Sequence, residues 1–207
     1  MIGVMARLPE PGRVKTRLIP AVGPEGACRV HERLLGHTLA VVRDCGLPAR
    51  LFVTGNGSLP ADLAEAWTGG VFPQDSGGLD RRMQAALMRM HDEAECVVLV
   101  GSDCPVLTPG YLHQALAALD DHDFVLGPAE DGGYVLIGSR QPSFWSGSTM
   151  LAEVEMGTSR AMAQTQAVLE QAGSLALLPR LWDLDEPRDL DRACRELRGW
   201  RGLSAPA

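Results

Sequence analysis

The chain has 207 residues, 45% of them hydrophobic, and a formal net charge of −7. That length fits one domain with a substantial core, expected to span 1–207. The acidic balance and the lack of a basic stripe exclude a nucleic-acid polymer as partner and leave small phosphorylated ligands open.

Taken in order, Ile2 to Ala6 reads as a first strand ending at Arg7, and Leu8 to Leu18 as a loop, because Pro9, Pro11 and Gly12 interrupt regular structure. Ala27, Val30, Leu34, Thr38 and Val42 recur at helical spacing and predict a helix over 25–45, stopped by Gly46 and Pro48. Arg50 to Thr54 reads as a strand, Pro60 to Trp67 as a short helix, Val71 and Phe72 as a brief strand, and Pro73 to Gly78 as a loop. Leu79, Met83, Ala86, Leu87 and Met90 then form one apolar stripe of a helix. Val97 to Val100 is a run buried on both faces, as in a parallel sheet. Thr108 and Pro109 take the N-cap and N1 places of the next helix. Phe124 to Gly127 and Tyr134 to Gly138 read as strands, and 139–158 shows no clear pattern. A helix over 159–171, a strand over 175–178, a helix over 188–198 and a frayed tail after Trp200 complete the chain. Alternating strands and helices imply an α/β fold, a three-layer α/β/α sandwich with a mainly parallel sheet.

Cys28, Cys45, Cys96, Cys104 and Cys194 form no C-x-x-C pair and are odd in number, which suits a reducing compartment. No signal-peptide or membrane-helix pattern is visible, so a cytoplasmic protein without a membrane partner is expected.

Four stretches carry chemistry. In open α/β sheets ligands bind beyond the carboxyl ends of strands, which puts Ser102 and Asp103 at the mouth of a site. Asp103 reads as a metal ligand beneath a nucleotide phosphate or, equally, as a loop cap. Lys15 is the only lysine of the chain, and with Arg7, Arg13 and Arg17 it makes the first loop a positive patch in which Gly12 permits close backbone approach to an anion. That loop reads as phosphate-binding, with an ordinary solvated loop as the alternative. Glu130, Asp131, Gly132, Gly133 and Tyr134 join two apolar runs, either as a plain hairpin turn or as the place where an acceptor hydroxyl is held. In the extended stretch 182–190, Asp183 and Asp185 face one way and Leu184 the other. Asp185 either caps the last helix or completes, with Asp103, an oxygen site for a hard cation such as Mg²⁺. No G-x-G-x-x-G, Walker or G-x-S-x-G pattern is present, and the five histidines show no metal-ligand spacing, which places them on helix surfaces or loops.

The motifs Pro9-x-Pro11-Gly12-Arg13-Val14-Lys15-Thr16-Arg17-Leu18, Gly101-Ser102-Asp103-Cys104-Pro105, Gly127-Pro128-Ala129-x-Asp131-Gly132-Gly133-Tyr134 and Asp183-Leu184-Asp185-x-Pro187-x-Asp189-Leu190 resemble the rSAM/selenodomain-associated transferase 1 family. The resemblance implies the GT-A fold of nucleotide-diphospho-sugar transferases, with donor phosphates on Lys15 and Arg17 and Mg²⁺ (or Mn²⁺) on Asp103. Asp185 is similar to the second metal ligand of CMP-sugar synthetases, although Glu186 replaces their usual Thr, and Met156-Gly157-Thr158 stands where relatives often carry Trp-Ser-Thr. The expected partners are a nucleotide sugar and a small acceptor, with Lys15, Asp103 and Asp131 catalytic, Arg7, Gly12, Arg13, Lys15, Arg17 and Ser102 on the nucleotide phosphates, and Glu130 to Tyr134 on the acceptor. The Lys-Thr-Arg-Leu run is also similar to that of phospholactate guanylyltransferases, so nucleotidyl transfer from an NTP is the alternative. A non-catalytic nucleotide-binding module is the third possibility.

Overall fold

A computed structural model describes residues 1–147 and 151–200. Among these, seven strands form one sheet: β1 (Ile2–Arg7), β2 (Ala49–Thr54), β3 (Gly70–Pro73), β4 (Val97–Gly101), β5 (Phe124–Pro128), β6 (Tyr134–Ser139) and β7 (Leu175–Leu177). Their spatial order is β3-β2-β1-β4-β6-β5-β7, and only β6 runs against the others. Helices α1 (Ile19–Asp44) and α4 (Pro109–Asp121) cover one face, while α3 (Leu79–His91), α5 (Pro142–Trp145) and α6 (Ala161–Ala172) cover the other. The short α2 (Ala61–Ala66) packs at the β2–β3 side, and α7 (Pro187–Glu196) closes a small third core against α1. The expected three-layer arrangement is therefore observed.

The strands alternate as their period demands: Ile2, Val4, Val98 and Val100 pack toward α1 and α4, whereas Val97 and Leu99 pack toward α3. Thr108 caps α4 as expected, its Oγ1 accepting from the Tyr111 N–H at 3.2 Å. Helix α1 begins six residues before the expected start, because Pro20 fits its first turn; the break comes at Gly23, whose φ of 71° only glycine adopts without strain. Leu79, expected in the core stripe of α3, is 38% exposed and lines the cavity described below, while Met83, Ala86, Leu87 and Met90 are buried. The stretch without a clear pattern contains α5, anchored by the fully buried Trp145, and residues 148–150 lie outside the described residues. The tail 201–207 lies outside them too, whereas Trp200 is buried beneath the Arg33 guanidinium. Among the described residues no helix is long and apolar enough to cross a membrane.

The chain leaves β1 toward β2 and β3, then returns to place β4 on the other side of β1. Between β1 and β4 the strand order thus reverses, and the crevice opens beyond their carboxyl ends, where ligands of open α/β sheets bind.

Candidate active site

A cavity of about 570 Å³ fills that crevice. Each of its polar walls follows from a local rule. The loop after β1 is pinned on both sides of Lys15 by Val14 and Leu18, which are buried, and by the Leu18 N–H donating to the Lys15 carbonyl at 2.9 Å. Lys15 has φ 44° and ψ 44°, and among the described residues it is the only non-glycine with positive φ. That left-handed conformation costs an L-residue about 1–2 kcal/mol, so the surroundings must hold it there.

The side chain of Lys15 ends between a pair of carboxylates. Lys15 Nζ lies 2.8 Å from Asp103 Oδ1 and 2.7 Å from Asp185 Oδ1, and the lysine side chain is only 5% exposed. Asp103 follows β4 between the buried Ser102 and Cys104. Its carbonyl accepts from the Leu184 N–H at 2.9 Å, which fastens the distant stretch 182–185 to the end of β4. Leu184 is buried in the third core, so Asp183 and Asp185 turn to the cavity as the alternation predicts.

Asp185 does not cap α7. The N-cap is Glu186, and Asp189 Oδ2 accepts from the Asp185 and Glu186 N–H groups at 3.1 and 2.7 Å. The Asp185 carboxylate is thereby free to meet Lys15. Glu186, the departure from the related motif, pairs with Arg188 at 3.2 Å and leaves that contact in place.

Burial opposes charge on Lys15, but the two carboxylates outweigh it and hold the ammonium above its ordinary value. Asp103 is likewise pushed up by burial and then held below its usual value by Lys15. Asp183 is not ion-paired to Lys15, which offsets its surroundings only weakly. Burial first, then Asp131 and Asp185, push its carboxyl up to about 6.

The other expected residues divide clearly. Arg7, Arg13, Arg17 and Ser102 line the cavity, and Arg17 Nη1 lies 3.7 Å from Asp185 Oδ2. Asp131, Gly133 and Tyr134 also line it. Asp131 stands at the tip of the β5–β6 hairpin, where its Oδ1 accepts from the Gly133 N–H at 2.8 Å. Three residues fall outside the lining. Gly12 makes a turn with φ 79° and open space around it. Glu130 is drawn off by Arg192 of α7, with Nη1 and Oε2 2.8 Å apart. Gly132, at φ 91°, packs so closely on Ser159 that a Cβ would collide with its carbonyl. Gly12, Glu130 and Gly132 thus stand apart from the expected residues that the cavity brings together.

His31, Gln74 and Arg82 line the cavity too, without a place among the expected site residues. His31 is buried, not on a surface, and its Nε2 meets the Arg7 carbonyl at 2.7 Å. Burial lowers its proton affinity, so the neutral ring donates that N–H. Its place one turn after Ala27 and one before Leu34 marks the buried face and was the available signal. Gln74 gives its amide hydrogens to the Ala6 and Phe52 carbonyls, each at 3.0 Å, and accepts from Arg82 Nη1 at 2.9 Å. Arg82 thus presents its remaining edge to the cavity. Met156 places its sulfur 3.6 Å from the Tyr134 hydroxyl, closing the hairpin end with a flexible apolar side chain.

Among the described residues no group of three or more histidine, cysteine, aspartate or glutamate side chains is arranged to cage a metal. Asp103 and Asp185 are a two-carboxylate pair that already grips a cation, the Lys15 ammonium. Such a pair fits an ion that keeps several waters and substrate oxygens in its shell, as Mg²⁺ does.

Comparison with known proteins agrees with this architecture. Residues 38–158, more than half of the chain, match the family described as "Uncharacterized protein conserved in bacteria (DUF2064)", and the chain belongs to that family. A protein from Desulfovibrio desulfuricans G20, provisionally described as a nucleotide-diphospho-sugar transferase, is 28% identical, with a TM-score of 0.84 over 99% of this chain and 90% of that one. A 4-diphosphocytidyl-2C-methyl-D-erythritol synthase from Anaerococcus prevotii DSM 20548 shares the fold at 12% identity and a TM-score of 0.63, over 95% of this chain and 98% of that one. CMP:2-keto-3-deoxy-manno-octonic acid synthetase complexed with CTP does so at 14% and 0.58, over 93% and 95%. No protein with a curated description matches the chain.

Proposed function

We propose that the protein is a divalent-cation-dependent transferase that passes a glycosyl group from a nucleotide sugar to a small acceptor. The observation that carries this reading is the convergence of Lys15, Asp103 and Asp185 at the mouth of the β1–β4 crevice. Asp103 and Asp185 would hold Mg²⁺ or Mn²⁺, which when bound supplies Lewis-acid charge to the phosphate oxygens. Lys15 and Arg17, flanked by Arg7, Arg13 and Ser102, would neutralise the charge that builds on the departing diphosphate. At the hairpin end, Asp131 would orient the acceptor hydroxyl and take its proton on a carboxylate oxygen, with Gly133 and Tyr134 shaping the subsite. The likeness to the Desulfovibrio protein supports a nucleotide-sugar donor, and the motif resemblance to the rSAM/selenodomain-associated transferases is the narrower form of the same reading.

A second reading has its own support. The buried lysine between two carboxylates suits a triphosphate equally well, and one structural neighbour, the CMP:2-keto-3-deoxy-manno-octonic acid synthetase, is complexed with CTP. In that case an NTP and a phosphorylated small molecule react with release of pyrophosphate. Parallel assays of nucleoside diphosphate and pyrophosphate release, over panels of donors and acceptors, decide between them. Glycosyl transfer predicts nucleoside diphosphate release dependent on both donor and acceptor. Pyrophosphate release dependent on a triphosphate and a phosphorylated acceptor would put the second reading in its place, and binding without turnover would leave a nucleotide-binding module.

A further inference from the structure

Lys15 Nζ occupies the place that a cation shared by Asp103 and Asp185 would take, 2.8 and 2.7 Å from their oxygens. A divalent ion cannot join that pair at contact distance while the ammonium stays, since like charges so close repel strongly in a partly desolvated crevice. We propose that Lys15 is the protein's own stand-in for the cation, and that cation and phosphate bind cooperatively because each frees the place the other needs. This inference rests on the reading of the site as one for a divalent cation and nucleotide phosphates.

The argument is one of charge matching. With Lys15 in place the two carboxylates are satisfied, and the stretch 182–185 stays fastened to β4. A divalent cation arriving alone would expel the ammonium from its two carboxylate partners among the described residues, leaving a lysine that is 5% exposed without a counter-charge from them. A phosphate arriving alone would draw Lys15 toward itself and leave Asp103 and Asp185 facing each other and the phosphate unneutralised. Arriving together, the cation takes the carboxylates and the ammonium takes the phosphate. Lysine suits the exchange, because its compact head on a four-carbon stem can turn between two acceptors without moving the loop that carries it. Arg17 cannot substitute: it is 66% exposed and reaches only the outer oxygen of Asp185, at 3.7 Å.

The single lysine gives a direct test in the 207-residue chain. Labelled with ¹⁵Nζ-lysine, it yields one ammonium resonance. That resonance is expected to stay put with millimolar Mg²⁺ alone or inorganic pyrophosphate alone and to move when both are present. In parallel, Lys15→Met should bind Mn²⁺ without pyrophosphate about tenfold more tightly than the parent, followed by electron paramagnetic resonance, and should lose most of the enhancement by pyrophosphate. A signal that moves with either ligand alone, or that stays still while both bind, overturns the inference but leaves the nucleotide site intact. A folded Lys15→Met protein whose Mn²⁺ affinity is unchanged or weaker overturns it as well. Failure of Mg²⁺ and pyrophosphate to bind in any combination overturns both the inference and the proposed function.

Discussion

Asp183 shows how one side chain's surroundings set its chemistry. It faces the same cavity as Asp185 two residues on, yet Lys15 bridges Asp103 and Asp185 and leaves Asp183 between other acids. Burial, and after it Asp131 and Asp185, lift its carboxyl from an ordinary 3.8 to about 6. A group raised in the fold makes the folded state bind more protons, so its penalty is absent below the unfolded value, grows as pH rises through about 6, and is fully present above. The cation-free Asp183→Asn protein is accordingly expected to melt a few degrees above the parent near neutral pH, where each kcal/mol is worth about 2–4 °C in a domain this size. The gap should close as pH falls to the ordinary carboxylate range. Thermal melts across that pH range check it, and a gap that stays constant would show that Asp183 carries no such penalty.

At the scale of elements, the start of α7 decides whether Asp185 is available. Asp189 accepts from the Asp185 and Glu186 N–H groups and so fixes the turn that carries the Asp185 side chain. Asp189→Ala is expected to cost about 0.5–2 kcal/mol of stability, as lost caps do, and to weaken cation-dependent nucleotide binding by releasing the turn that aims Asp185. Differential scanning calorimetry and a binding titration check the two halves, and an unchanged melting temperature would contradict the first. The same stretch shows what was legible in the sequence. Period-two alternation placed Asp183 and Asp185 on one side and Leu184 on the other, because it depends only on local geometry. The helix expected over 188–198 starts at Pro187 with its N-cap on Glu186, so helix signals located the boundary without assigning the carboxylate. Glu130 was not legible, since its partner Arg192 lies 62 residues away. Gln74 and Arg82 were missed for the same reason: a loop after β3 and the first turn of α3 meet only because β1 and β2 supply the carbonyls that orient Gln74.

Across the whole molecule, the position of the site follows from strand order. The chain reverses between β1 and β4, so the loop after each strand opens on one crevice, and the Leu184–Asp103 backbone bond brings the third acidic stretch to it. Alternating strands and helices were enough to expect the layers and the crevice. They could not show that Lys15 would be buried between two acids, which requires residues 15, 103 and 185 to be close in space. The most direct measurement is isothermal titration of nucleoside di- and triphosphates and nucleotide sugars, with and without Mg²⁺, into the parent and Asp103→Asn proteins. At least one of these ligands should bind the parent in a Mg²⁺-dependent way, and Asp103→Asn should lose about tenfold or more of that affinity while keeping its fold, as expected for removal of a charge-assisted contact. A folded Asp103→Asn protein that binds the same ligand with undiminished, Mg²⁺-dependent affinity would contradict it.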